Sequence, residues 1–385
     1  MKKIWMTAAA ALVLGASLLT GAGAARSASA EEVAADCKAA YLMDDATGVQ
    51  MYAKEETKRL PIASMCKIMT LLLAIEAADA GELSYSEEVV ASEHAAGMGG
   101  SQVFLGAGLS YTVDQLLKSI AVCSANDSCV AIAERLAGSE GAFCEEMNAR
   151  AKQLGAENTL FANCTGLPKE PQYSCAKDVA LMLRALIAHE KYHEYARIRL
   201  EDFSHPDGRT TQMTNTNKLL RAYDGCESGK TGFTNEAGFC LAACARRGEM
   251  RVISVVIGSP DSKTRFAAAS ALFDYAFDRF VSETYLRAGE ELEEPVAVRG
   301  SATKEIAVRA QSALGALKRR GTEEKYTVVT QYERELRAPV AAGQEVGQAL
   351  LMRDGVEIAR TPLLAVADAP CYTWWEAYRE GARMW

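Results

Sequence analysis

Much that would direct a first reading elsewhere is missing from this chain. None of its 11 cysteines forms a C-x-x-C pair, so zinc-ribbon and thioredoxin-type sites are excluded. Lys and Arg number 42 against 50 Asp and Glu, a net charge of −8, and no basic tract occurs, which leaves nucleic acid without the clustered footprint it needs. Only 9 prolines and 29 glycines, with no internal repeat, exclude collagenous and disordered classes. No cysteine stands at a leader cleavage site, since the first is Cys37. What is present is globular composition, 49% hydrophobic and 24% charged, in 385 residues, a length that predicts two domains.

The N-terminus reads as a secretory leader. Lys2 and Lys3 precede an apolar run, Ile4 to Leu19, and Ala28-Ser29-Ala30 is a cleavage site. Residues 1–30 are therefore expected to be removed, and the mature chain to work outside the cytoplasm from Glu31. The cysteine count is odd and several cysteines sit in apolar segments, so free buried thiols are expected rather than a disulfide framework.

Patterning divides the rest. Short apolar runs at 40–43 and 49–52 around Asp44-Asp45-Ala46-Thr47-Gly48 predict a hairpin. The stretch from Ser64 to Ala78 is apolar on nearly all sides and predicts a central buried helix. Four helices follow, then strands at 238–245 and 250–257 and a helix from Lys263. That order is α+β: a helical cluster against an antiparallel sheet over residues 31–282. An acidic stretch, 283–295, reads as a linker. Short β-like runs make 296–368 a small all-β domain, and 369–385 a separate C-terminal segment.

Three motifs carry chemistry. Ser64-Met65-Cys66-Lys67 opens the central helix, where positions i and i+3 share a face. In a dry setting an amine gives up its charge more readily and can take the hydroxyl's proton, while the helix N-terminus offers positive potential and an N–H to an oxyanion. The tetrapeptide alone is weak, because Ser174 to Lys177 and Ser301 to Lys304 repeat it. Only Ser64 is followed by Ser124-Ala125-Asn126 and then Lys230-Thr231-Gly232. A second hydroxyl can relay protons to a leaving amine, an amide can grip a peptide, and a Lys-Thr pair on an edge strand can receive a carboxylate. Gly232 would let a substrate backbone approach.

With these motifs the chain resembles the low-molecular-mass penicillin-binding proteins that are D-alanyl-D-alanine carboxypeptidases, serine peptidase family S11. The resemblance also runs through Leu42-Met43-Asp44, Lys67-Ile68-Met69-Thr70, Gly166-Leu167, Phe233 to Gly238, Ile253 to Val256, and Ala338-Pro339 in the β domain, and covers about residues 37–366. It implies a penicillin-binding/β-lactamase-like transpeptidase domain that removes the terminal D-alanine from peptidoglycan stem peptides. By resemblance Ser64 is the acylated nucleophile, Lys67 the proton acceptor and Ser124 a relay. Asn126, Lys230, Thr231 and Gly232 bind substrate, Arg265 matches a carboxylate-binding arginine, and the backbone N–H groups of Ser64 and Phe233 form the oxyanion hole. Neither cofactor nor metal is implied, and β-lactams would acylate the same serine. Ala125 departs from the glycine some members carry.

Rival readings differ in specific residues. A class A β-lactamase uses an E-x-x-x-N loop after the middle motif, and none lies between Asn126 and Lys230. A DD-endopeptidase would use the same chemistry and stays open; a catalytically dead wall-binding module is opposed by intact Ser64, Lys67, Ser124 and Lys230. His189-Glu190-Lys191-Tyr192-His193 matches the zincin pattern H-E-x-x-H but reads as a helix end. Cys66, at i+2 from Ser64, should face the core, and Asp127 should cap its helix. Cys371, Trp374, Trp375, Tyr378, Ala382 and Trp385 share one helical face, with Glu376, Arg379, Glu380 and Arg383 on the other. Such a helix is too short to span a bilayer and suits its surface, so a peripheral site on the outer face of the cytoplasmic membrane is expected.

Overall fold

The computed structural model describes residues 33–332 and 336–383. The expected leader, residues 1–30, and Trp385 lie outside them. The chain enters through β1 (Ala39–Asp44), turns, and returns as β2 (Gln50–Lys54). A single 3-10 turn, Ala63–Cys66, runs directly into α1 (Lys67–Asp79). Then come α2 (Val113–Cys123), α3 (Asn126–Ala137), α4 (Glu140–Gln153), α5 (Ala176–Leu186) and α6 (Glu190–Ala196). A hairpin of β3 (Leu200–Ser204) and β4 (Thr210–Thr214) leads to β5 (Cys226–Thr234), β6 (Gly238–Arg247), β7 (Met250–Ser259) and α7 (Ser262–Arg279).

The main sheet is antiparallel, in the order β2-β1-β7-β6-β5, so β5 is an edge. Its strands alternate with period two. Ala39, Tyr41 and Met43 of β1 and Cys240, Ala242 and Cys244 of β6 face the core shared with α1 and α5; Ala40, Leu42, Leu241, Ala243 and Ala245 face the core under α7. Both faces are covered, which explains why β1 is buried throughout despite being a strand of a mixed α and β layer. Helix α1 is buried on nearly every side and forms the pillar of the larger core, as its all-round apolarity predicts.

The acidic stretch expected as a linker does not begin as one. Strand β8 (Phe280–Leu286) starts where α7 stops and pairs with β10 (Leu314–Arg319). Phe280, Ser282 and Leu286 are buried, so alternation inside the fold decides the conformation, and the glutamates that shift the composition point outward. Beyond it β9 (Val308–Ala310), β11 (Tyr326–Tyr332), β12 (Glu345–Arg353) and β13 (Val356–Ala365) form a second sheet, β9-β13-β12-β11. The two parts touch at Asp44, whose carboxylate accepts the Ser282 hydroxyl. Helix α8 (Trp374–Arg383) closes the described chain. The cysteines are all unpaired, and most are buried.

Candidate active site

The site lies where the 3-10 turn before α1, the α2–α3 connection and the edge strand β5 meet. Ser64 is partly exposed in the 3-10 turn, and three residues on, the fully buried Lys67 donates from Nζ to Ser64 Oγ at 3.0 Å. The same amine donates to the Thr165 carbonyl, which fixes the side chain from the other direction. Thr165 and Gly166 are themselves held by Asn163 Oδ1, through their N–H groups at 3.2 and 2.7 Å. The backbone around the nucleophile is tight. A Cβ on Gly166, whose φ is +80°, would lie 2.0 Å from the Ala63 carbonyl oxygen, and Ala63 has φ +47°. For a residue with a side chain that left-handed conformation is strained, and such strain concentrates at functional sites.

Across the cleft Ser124 caps α2 with φ +67°, again left-handed. This conformation turns its hydroxyl to Lys230 of β5, whose Nζ donates to Ser124 Oγ at 2.8 Å and to the Thr231 carbonyl at 3.1 Å. Lys230 is fully buried. Burial first, and the nearby charge of Lys67 second, lower its pKa from 10.5 to about 7. Asn126 starts α3; its N–H donates to Ser101 O and its Nδ2 to Gly99 O, both at 2.7 Å. Its Oδ1 is buried without a partner among the described residues, an acceptor-directed vacancy in hydrogen bonding that a peptide N–H would fill. Thr231 Oγ1 donates to Thr216 Oγ1 at 2.8 Å. Asp127 does not cap α3. It receives the N–H groups of Val103 and Leu105 at 3.1 Å each and of Ser128 at 2.9 Å, pinning the 101–105 loop beside Asn126.

The geometry therefore gathers two Ser–Lys pairs, Ser64 with Lys67 and Ser124 with Lys230, around one exposed hydroxyl. The profile of the D-alanyl-D-alanine carboxypeptidase family matches residues 24–261, and that of the C-terminal domain of penicillin-binding protein 5 matches 280–370. The chain belongs to the D-alanyl-D-alanine carboxypeptidase family. It is 37% identical over 93% of both chains to the D-alanyl-D-alanine carboxypeptidase DacF of Bacillus subtilis (strain 168). With DacA of Escherichia coli (strain K12) the identity is 32%, over 87% of this chain and 84% of that one. Among solved structures, penicillin-binding protein 5 of Haemophilus influenzae superposes with a TM-score of 0.70 at 28% identity, covering 87% of this chain and 98% of that one.

Two members of the expected carboxypeptidase site also hold contacts within the protein. At Gly232 a Cβ would lie 2.6 Å from the Ile62 carbonyl oxygen and 3.2 Å from Ser64 N. Its bareness lets β5 press against the nucleophile's own turn. Arg265, in the first turn of α7, is only 7% exposed. It donates from Nη1 to the Gly232 and Cys240 carbonyls, both at 3.2 Å, and from Nη2 to Ser262 Oγ at 3.3 Å, so it braces β5 and β6. Phe233, by contrast, stands half in solvent and stacks on Phe239 at 4.3 Å.

The look-alike motifs are occupied elsewhere. Ser174 is buried against Thr159 at 2.8 Å, and Lys304 pairs with Glu380 at 2.7 Å. The Cys66 thiol is buried, pushed well above its ordinary pKa by desolvation, and donates to Asn163 O at 3.2 Å. The H-E-x-x-H segment does not end α5 but opens the separate helix α6, with His189 at its N-cap: His189 binds Asp79 at 2.7 Å, whereas His193 is buried with Nε2 against the Ile187 carbonyl at 2.9 Å. The partners that sequence reasoning missed are Asn163, Thr165, Gly99, Ser101 and Thr216. Most act through backbone carbonyls, which leave no residue signature.

Proposed function

We propose that the protein removes the terminal D-alanine from peptidoglycan stem peptides through an acyl-enzyme on Ser64. The observation that carries this reading is the Lys67–Ser64 contact at 3.0 Å, facing a second pair, Lys230–Ser124, at 2.8 Å. Ser64 Oγ adds to the penultimate D-Ala carbonyl as Lys67 takes its proton, and the N–H groups of Ser64 and Phe233 receive the oxyanion. Ser124 accepts its hydrogen bond from Lys230, which leaves the serine's own proton free for the departing D-Ala nitrogen, and the proton that Lys67 took from Ser64 replaces it on Ser124. Water then adds to the ester and releases Ser64. Thr231 and charged Lys230 receive the terminal carboxylate, Asn126 holds the peptide, and Arg265 positions β5. β-Lactams present a carboxylate and a strained amide to the same groups. Release of D-alanine from a diacyl-D-Ala-D-Ala peptide, measured beside β-lactam turnover, tests the assignment. D-Ala release with a stable penicilloyl adduct supports it, and rapid lactam turnover without D-Ala release contradicts it.

We further propose that the mature chain is exported and rests on the outer face of the cytoplasmic membrane through α8. Trp374, Trp375 and Tyr378 are 70%, 64% and 63% exposed and lie against one another, with ring centroids 4.6 to 6.3 Å apart. The polar side of the helix is tied back to the β domain by the Glu380–Lys304 pair, and Tyr372 N donates to Gly300 O at 2.8 Å. This supports an aromatic face turned away from the protein, at the depth Trp and Tyr favour. No helix among the described residues is long and apolar enough to cross a membrane.

A further inference from the structure

Although the sequence holds no basic tract, the fold builds one. Arg197 and Arg199 follow α6, Lys218 and Arg221 lie beside and in the short helix 219–222, and Arg246 is the penultimate residue of β6. These five cations converge on two adjoining cavities of about 450 and 320 Å³ that share Arg199 and Leu220 as lining. The acid inside is Glu227, and it is already divided among Arg251, Arg246 and Arg197 at 2.9, 3.2 and 3.8 Å. Glu190, 3.5 Å from Arg197, and the exposed Asp224 add two more negative charges at the edge. Arg251 is shared with Asp45 at 3.4 Å, so six cations, Arg251 included, against four acids leave about +2 on a chain whose net charge is −8. Arg199, Lys218 and Arg221 have no carboxylate partner among the described residues; Arg199 donates only to the Leu220 carbonyl, at 3.1 Å.

This surface is wired to the active site by short hydrogen bonds. Thr231 binds Thr216 at 2.8 Å, and the neighbouring Asn215 donates from Nδ2 to the Ala196 and Ile198 carbonyls at 3.0 and 2.7 Å, fixing the segment that carries Arg197 and Arg199. The smaller cavity is lined by Asn215 and Asn217, on either side of the Thr216 that Thr231 binds, so it adjoins the cleft. We infer that the cavities between Arg199, Lys218, Arg221 and Arg246 form an exosite for the carboxylates of a neighbouring stem peptide of the same peptidoglycan strand. Guanidinium forks match carboxylates in geometry as well as charge, and carboxylates recur along the polymer that a short peptide substrate represents only once. The inference rests on the wall-peptide function proposed above, and its test separates the two.

The test compares the mature protein with an Arg199→Ala/Arg221→Ala double variant, in which neither change touches the catalytic groups. Two readouts are taken: co-sedimentation with purified insoluble peptidoglycan stripped of phosphodiester polymers, and D-Ala release from that peptidoglycan and from a small diacyl peptide. Two carboxylate contacts predict about a 5–10-fold loss of polymer binding and of polymer turnover, with small-peptide turnover within about twofold of the parent. Added salt should reproduce that loss in the parent, and Arg199→Lys, which keeps the charge without the fork, should keep only part of the binding. Equal losses on both substrates, no loss on either, or binding only to wall that retains its phosphodiester polymer would overturn the exosite. Failure of the parent on the small peptide would instead overturn the proposed function, while sedimentation still reports on the exosite.

Discussion

The catalytic cleft and the C-terminal helix break the ordinary rule of burial in opposite directions. In the cleft Lys67 and Lys230 are fully buried, and nearly every donor finds a protein acceptor within 3.1 Å. On α8 three large aromatic rings stand in solvent, with ring partners among themselves in the described residues. A buried charge and an exposed aromatic cluster are both informative, because each is stable only with something to match it. The cleft supplies its match from the protein and, among the described residues, leaves the acceptor Asn126 Oδ1 for a ligand. The aromatic face of the helix has none among the described residues, which supports the membrane partner proposed above.

The largest effect should come from breaking the cleft's backbone. Gly166→Ala drives a methyl into the Ala63 carbonyl and forces a left-handed alanine. A cost of roughly 3 kcal/mol or more is expected, lowering Tm by about 6–12 °C, with D-Ala release lost before the fold is. Calorimetry that finds the variant as stable as its parent would show that the turn at Ala63 relaxes freely.

Lys230 gives the next contrast. Its lowered value means that the unfolded chain holds an extra proton between about pH 7 and 10.5, so this group's contribution to stability rises with pH across that window. A substrate carboxylate favours the charged form. Binding a non-hydrolysed carboxylate ligand at pH 8 should therefore take up close to one proton, and at pH 6 almost none. Calorimetry in buffers of different ionisation enthalpy reads this directly; equal uptake at both values would remove Lys230 from the carboxylate site.

At the helix the effect is smaller and confined to location. Three rings burying about half their surface contribute roughly 7 kcal/mol gross at an interface, opposed by ordering and desolvation. Attachment should be reversible. The mature protein should co-sediment with liposomes, and removal of residues 371–385 should release it with D-Ala release unchanged within about twofold. Identical partitioning of the two proteins would show that α8 serves the β domain alone.

The legibility of the sequence follows the same division. Ser64, Lys67, Ser124, Asn126, Lys230 and Thr231 are legible because their chemistry demands particular side chains at ordered positions. Thr165, Gly99 and Ser101 are not, since a carbonyl carries no identity. Arg265 matches by position, yet its hydrogen bonds go to Gly232 and Cys240, a difference only packing reveals. The strand in Phe280–Leu286 hides because it runs into the acidic stretch: Phe280, Ser282 and Leu286 are its buried residues, and the one glutamate it holds, Glu283, is exposed. The cationic cavities hide because their arginines come from segments up to fifty residues apart in sequence, joined only by topology.

The central claim is that Ser64, among three serines in S-x-x-K tetrapeptides and beside a cysteine, is the single acylated group. Mass spectrometry of the penicillin-treated mature protein tests it most directly. The account predicts one penicilloyl adduct on Ser64, abolished by Ser64→Ala together with D-Ala release and unaffected by Ser174→Ala or Ser301→Ala. An adduct on Cys66, Ser124 or any other residue, or labelling that survives Ser64→Ala, would contradict it.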